Sequence, residues 1–179
     1  MAYSNQRMNN VGILYGVVAK GSCILASHSA KLGNFNDVAK DLLAKIDQQA
    51  KFSAKASQND PFSQNPSRMT YKDGDYQYHY LRCNEQGVLY LCITDSSFPR
   101  KHAFKFMDIL AKKLKEQFPY QLQSNSKSIP FSMNSEFEPV IGAEMKRLNR
   151  DANTYNQQVR RKLFLYYPLT LHYLIKKST

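Results

Sequence analysis

Cysteines, histidines and carboxylates are the side chains that could do chemistry in this chain, and their spacing decides whether they do. Cys23, Cys83 and Cys92 are odd in number and show no CxxC spacing, so neither a thiolate metal site nor a redox pair is marked. They read instead as small hydrophobes in strands, with free thiols in a reducing cytosol. His28, His79, His102 and His172 are scattered singly, and there is no HExxH. His79 lies between Tyr78 and Tyr80; alternation along a strand puts the tyrosines on one face and the histidine on the other, a structural or surface role. Glu136 and Glu138 project differently from one helical turn and make no acid/base pair. No GxxxxGK[ST] loop, no GxGxxG after a strand and no local nucleophile signature is present, and glycine is scarce at seven residues. An enzyme is disfavoured, and no cofactor or metal is expected.

The elements that would position these residues are legible from periodicity. ILYGVVA (Ile13–Ala19) and CILAS (Cys23–Ser27), joined across Lys20-Gly21, read as a hairpin. In GNFNDVAKDLLAKI, Asn34 is a good N-cap, and Phe35, Val38, Ala39, Leu42, Leu43 and Ile46 recur at three- and four-residue spacing, predicting a helix over 35–46. Residues 47–67, with two prolines and many Ser, Gln and Asn, read as a loop insertion. Three strands follow, near Arg68–Lys72, at Tyr76–Cys83 and at Val88–Thr94, with turns at Asp73-Gly74 and Gln86-Gly87. Asp95 or Ser97 then caps a helix with Pro99 in its first turn, and Ala103, Met107, Leu110, Leu114 and Phe118 form its apolar stripe. A third helix is predicted from Ser135 to about Asn153, facing inward through Phe137, Ile141 and Met145, or through Val140 and Leu148. The order β-β-α-β-β-β-α-α describes a five-stranded antiparallel sheet covered by helices, an α+β layered fold.

The chain has 179 residues and a net charge of +11, enough for one globular domain with a core. The N-terminal MAYSNQRMNN has no apolar signal-peptide core. From Lys146 onward eight cations stand against Asp151 alone, so most of the charge excess is C-terminal. That tail ends RRKLFLYYPLTLHYLIKKST. Its apolar and aromatic run, Leu163–Ile175, is too short for a simple membrane span, which takes about 20 apolar residues. Pro168 and its aromatic and branched neighbours predict an extended or broken segment rather than a helix. A basic, aromatic tail suits an anionic membrane surface or a nucleic-acid backbone, or it is a solvated tail. Arg160, Arg161, Lys162, Phe164, Tyr166, Tyr167, Lys176 and Lys177 are the candidates for membrane contact.

Five adjoining segments, GILYGVVAKG, GNFNDVAKDLLAKI, MTYKDGDYQYHY, VLYLCITDSSFPRKHAFKFMDILAKKL and IPFSMNSEF, together resemble the N-terminal longin domain of long R-SNAREs of the tetanus-insensitive vesicle-associated membrane protein type. The similarity runs from about Ile13 to Asn153. It divides the chain into a polar extension (1–12), a longin domain (13–153, with the 47–67 insertion) and a basic, aromatic tail (154–179). The resemblance implies a profilin-like longin fold with helices on both faces of the sheet, and a non-catalytic protein of vesicle-mediated transport, in the cytoplasm or on the cytosolic face of vesicle or endosomal membranes. Its implied partners are SNARE proteins and trafficking adaptors, or their peptides, taken up between the first helix and third strand. The matching positions here are Leu42, Leu43 and Ile46 on the helix and Met69 and Tyr71 on the strand. Leu42 and Ile46 could equally be core, and Met69 and Tyr71, which alternate to one shared face, could be either.

Where an R-SNARE continues into heptads with a central arginine and then a membrane span, this chain has NTYNQQVRRK and stops being heptad-like. Neither Arg160 nor Arg161 has flanking apolar layers, so neither is assigned as that arginine. The tail could lie at a lipid interface, fold back onto the groove, or be an unselected read-through end. Alternatives for the whole chain are a longin-type subunit of a coat, tether or receptor complex, and a nucleic-acid binding module suggested by the charge alone.

Overall fold

The computed structural model describes residues 12–56, 67–83, 87–120, 122 and 128–175; for 50–56, 67, 156 and 160–175 it describes the backbone alone. Strands β1 (Ile13–Lys20) and β2 (Cys23–Ser29) form the first hairpin, followed by helix α1 (Phe35–Ala56). A meander of β3 (Ser67–Asp73), β4 (Tyr76–Cys83) and β5 (Val88–Asp95) leads into α2 (Arg100–Gln117) and α3 (Asn134–Ile175). All strand pairs are antiparallel, and the spatial order is β2-β1-β5-β4-β3. The three hairpin turns carry Gly21, Gly74 and Gly87 at positive φ, 59°, 53° and 62°, where a side chain would be strained.

The central strands β1 and β5 are buried on both faces, and each face meets a different helical layer. On one side, Leu14, Tyr15, Val17, Leu89, Leu91 and Ile93 pack under Phe35, Ala39, Leu43 and Ile46 of α1. On the other, Val18, Leu81, Tyr90 and Cys92 meet Phe104, Phe106, Met107 and Leu110 of α2 and Phe137, Ile141, Met145 and Leu148 of α3. The predicted α2 stripe is fully buried, and of the two alternatives for α3 both contribute except Val140, which is half-buried. Gly16 lets these layers close: a Cβ there would come within 2.9 Å of both Ile141 and Phe106.

Several expectations are corrected. α1 does not stop at Ile46 but runs to Ala56, into the predicted loop. Gln, Ala and Lys there are good helix formers, and extending a helix whose first half is already packed adds a hydrogen bond per residue without a new nucleus; the rest of the expected loop, 57–66, lies outside the described residues. α2 is capped by Pro99, with no side-chain cap; Asp95 instead accepts hydrogen bonds from the Ser97 amide and hydroxyl and from the Gly12 amide. The tail expected to be extended or broken is helical: α3 continues through Pro168 to Ile175. Propagation from the packed Asn134–Ala152 segment outweighs the local loss at one proline. Of the three cysteines only Cys92 is fully buried; Cys23 and Cys83 are half-buried.

Candidate functional site

The two edges of the sheet are treated differently. Beside β2, the Phe131 and Met133 amides donate to Ile24 and Leu25 carbonyls at 2.8 and 3.1 Å, and the Ser27 amide donates to Asn134 Oδ1 at 3.0 Å. The segment before α3 therefore satisfies that edge. β3, at the other end, pairs with β4 alone among the described residues, leaving the outward amides and carbonyls of an edge strand available to a further strand.

Register fixes what this edge presents. Met69 lies opposite Tyr80 and Tyr71 opposite Tyr78, and these continue to Leu91 and Ile93 on β5. All therefore lie on the α1 face. α1 covers β1 and β5 but leaves the outer strands partly bare: Met69 is 51% and Tyr71 62% exposed, while Tyr78 and Tyr80 are half-buried beside the half-buried Leu42. Met69 and Tyr71 thus extend an apolar surface from the half-buried Tyr78 and Tyr80 out to the β3 edge, on the face that α1 covers. Tyr71 and Tyr78 have ring centroids 6.2 Å apart, and Tyr76 continues the aromatic row to an edge-on contact with Phe35 at 5.9 Å. Burial pushes the Tyr78 and Tyr80 phenols up from their ordinary range, so both are neutral hydrogen-bonding groups at physiological pH.

Of the five residues expected to line a groove between α1 and β3, Met69 and Tyr71 are exposed on β3 and Leu42 is half-buried on α1. Leu43 and Ile46 are core residues, 0% and 6% exposed, pointing under the helix at the sheet. Tyr78 and Tyr80, absent from the expected set, lie on the same face as Tyr71 and Met69, directly opposite them on β4. The turn falls at Gly74-Asp75, one residue later than the expected Asp73-Gly74, so Asp73 pairs with Tyr76, Tyr71 with Tyr78 and Met69 with Tyr80.

On the opposite face His79 is fully buried and structural. Its Nε2 is 3.2 Å from the Thr94 hydroxyl, which itself donates to the Asp95 carbonyl at 3.0 Å, so Nε2–H donates to Thr94 Oγ1 and the Thr70 hydroxyl donates to Nδ1 at 3.0 Å. Burial, helped by the Arg100 charge, lowers its pKa to about 4, keeping the ring neutral. Another histidine contact not foreseen is His28 Nδ1 with Glu138 of α3. Among the described residues no group of three His, Cys, Asp or Glu side chains could hold a metal ion. Arg160, Arg161, Lys162, Phe164, Tyr166 and Tyr167 have their backbone within α3, with side chains outside the described residues, and Lys176 and Lys177 lie outside them altogether. No helix among the described residues is long and apolar enough to cross a membrane.

A five-stranded antiparallel sheet in the order β2-β1-β5-β4-β3, with one helix on one face and two on the other, is the architecture of a longin domain. The comparisons agree. The family model for the longin, regulated-SNARE-like domain matches residues 56–141, and the chain carries a longin domain of the long R-SNARE type. It is 36% identical over 136 residues to vesicle-associated membrane protein 7 of Gallus gallus and of Homo sapiens, covering 76% of this chain and 52% of each relative. It is 25% identical over 143 residues to vesicle-associated membrane protein 713 of Arabidopsis thaliana, covering 80% of this chain and 56% of that one. The chain thus spans about half the length of these relatives.

Proposed function

We propose that this chain is a non-catalytic binding module of vesicle-mediated transport, which captures extended segments of SNARE proteins or trafficking adaptors along β3. The observation that carries this is the pairing of a sheet edge that no described strand fills with exposed Met69 and Tyr71 on the same strand. Backbone groups of the edge supply affinity for any extended peptide, and the cleft between Leu42 and Tyr71 selects apolar side chains at alternate positions. Similarity to vesicle-associated membrane proteins supports placing that activity on the cytosolic face of vesicle or endosomal membranes. The basic residues of the C-terminal segment suit the anionic surface of such a membrane.

The test is a titration of the labelled protein with cytosolic SNARE segments and adaptor fragments, followed residue by residue by NMR. Binding partners should shift the β3 amides and the Leu42, Tyr78 and Tyr80 signals, and Met69→Ser should weaken them. Shifts confined to other surfaces, or affinities indifferent to Met69→Ser, would defeat the proposal.

A further inference from the structure

The same edge strand has a second face, and it is cationic. Alternation puts Arg68, Thr70 and Lys72 opposite to Met69 and Tyr71, toward α2. Arg68 Nη2 lies 2.8 Å from Asp108, and the Arg68 and Arg100 guanidinium carbons lie 5.6 and 5.3 Å from the Phe104 ring centroid. Together with Lys101 and Lys105 they line an open cavity of about 520 Å³. It holds four cations and one carboxylate, Asp108, already engaged by Arg68.

The placement of two of these cations runs against local stability. Arg100 and Lys101 open α2, whose first turn has no acidic residue and no side-chain cap. Positive side chains there face the positive end of the helix dipole. Asp or Glu would serve the helix better, so the cations answer to something outside it.

We propose that the segment captured along β3 alternates apolar and acidic residues, its carboxylates entering the Arg68–Arg100–Lys101–Lys105 cavity while its apolar side chains cover Met69 and Tyr71. A strand paired with β3 would lie about 4.8 Å away and send successive side chains to opposite faces of the sheet. One face then meets the apolar cleft and the other meets the cations, whose charge complements the acidic side chains of a strand and opposes basic ones. This inference rests on the peptide-capture reading above and names the chemistry of the captured segment.

The experiment measures fluorescence anisotropy with three end-capped nonapeptides, alternating Leu-Glu, Leu-Ser and Leu-Lys, against the full chain. The Glu peptide should bind about tenfold or more tighter than the Ser peptide, the Lys peptide should bind weakest, and the difference should shrink between low and high salt. Arg100→Glu/Lys101→Glu should invert the order toward Lys while thermal stability stays level or rises, because the new carboxylates favour the helix N-terminus. That rise separates lost recognition from lost folding. Equal Glu and Ser affinities with an unaltered order in the double variant would overturn the inference and leave the cleft reading standing. Failure of every peptide to bind would overturn both. Flotation with phosphatidylserine vesicles is the remaining arm: loss of flotation in the double variant, with peptide preference unchanged, would assign the cavity to a lipid surface and overturn the proposal.

Discussion

Asn149 holds both polar groups of Ile13. Its Oδ1 accepts from the Ile13 amide at 2.7 Å, and its Nδ2 donates to the Ile13 carbonyl at 3.1 Å. One side chain in the middle of α3 thereby fixes the start of β1, a central strand, across 136 residues of sequence. Gly12 packs against the same amide, where a Cβ would come within 3.0 Å of Asn149 Nδ2. Asn149→Ala removes both bonds and strands part-buried backbone groups, for a loss of about 1–3 kcal/mol. Urea unfolding should show a lower midpoint with an unchanged m-value, and Asn149→Asp should rescue only the amide half.

His79 makes stability depend on pH over a defined window. Its pKa is lowered from the ordinary 6.5 to about 4 in the folded chain, so between these values the unfolded state binds more protons. The contribution is complete above about pH 6.5 and is lost as pH falls toward 4. A loss on the order of 2 kcal/mol between pH 7 and pH 4 is expected from this residue, and His79→Asn should flatten that part of the profile. An identical pH slope in the variant would mean that the ring is not buried neutral.

Glu144 links the two helices of the same layer. Its carboxylate sits 3.0 Å from Lys113 of α2 and 2.8 Å from Arg147 of α3. Burial pushes its pKa up, but hydrogen bonds from Lys113 and Arg147 more than offset this and hold it below the ordinary value. The ion pairs therefore persist down to more acidic pH than an isolated carboxylate would allow, and their stabilisation is lost as pH falls through that depressed pKa. Glu144→Gln should cost about 1 kcal/mol at pH 7, since Lys113 and Arg147 can both turn to solvent. The difference from wild type should narrow when the measurement is repeated at acid pH.

How much of this was legible in the sequence depends on whether local or tertiary forces set each feature. The strands and helix stripes followed from period-2 and period-3.6 patterns, but the β3–β4 register did not: the turn expected at Asp73-Gly74 lies at Gly74-Asp75, and Gly74 suits either position of a two-residue turn. Helix ends were different. Gln48 to Ala56 and the segment around Pro168 have no sustained apolar stripe, and they are helical because each extends a helix anchored elsewhere. The phase of α1 was ambiguous in the same way: Leu42 and Leu43 both fit the stripe, and only the position of the helix over β1 and β5 sends Leu43 into the core and leaves Leu42 half-buried at its margin. The cationic cavity needed β3 and α2 brought together, which no spacing in the sequence announces.

That difference in phase decides which cleft substitutions inform about binding. Leu43 is fully buried, so Leu43→Ser removes a core side chain and introduces a hydroxyl beneath the helix, for a loss of about 2–5 kcal/mol. Any binding defect it shows is inseparable from unfolding. Met69 and Tyr71 are more than half exposed, so Met69→Ser/Tyr71→Ser should leave the thermal midpoint within a few degrees of wild type. It should nevertheless abolish capture of apolar segments, because the strand wall of the cleft is lost while the edge hydrogen bonds remain. Circular dichroism melts paired with isothermal titration of a SNARE segment check both halves. A double variant that melts normally and binds normally would place the peptide site somewhere other than the α1–β3 cleft.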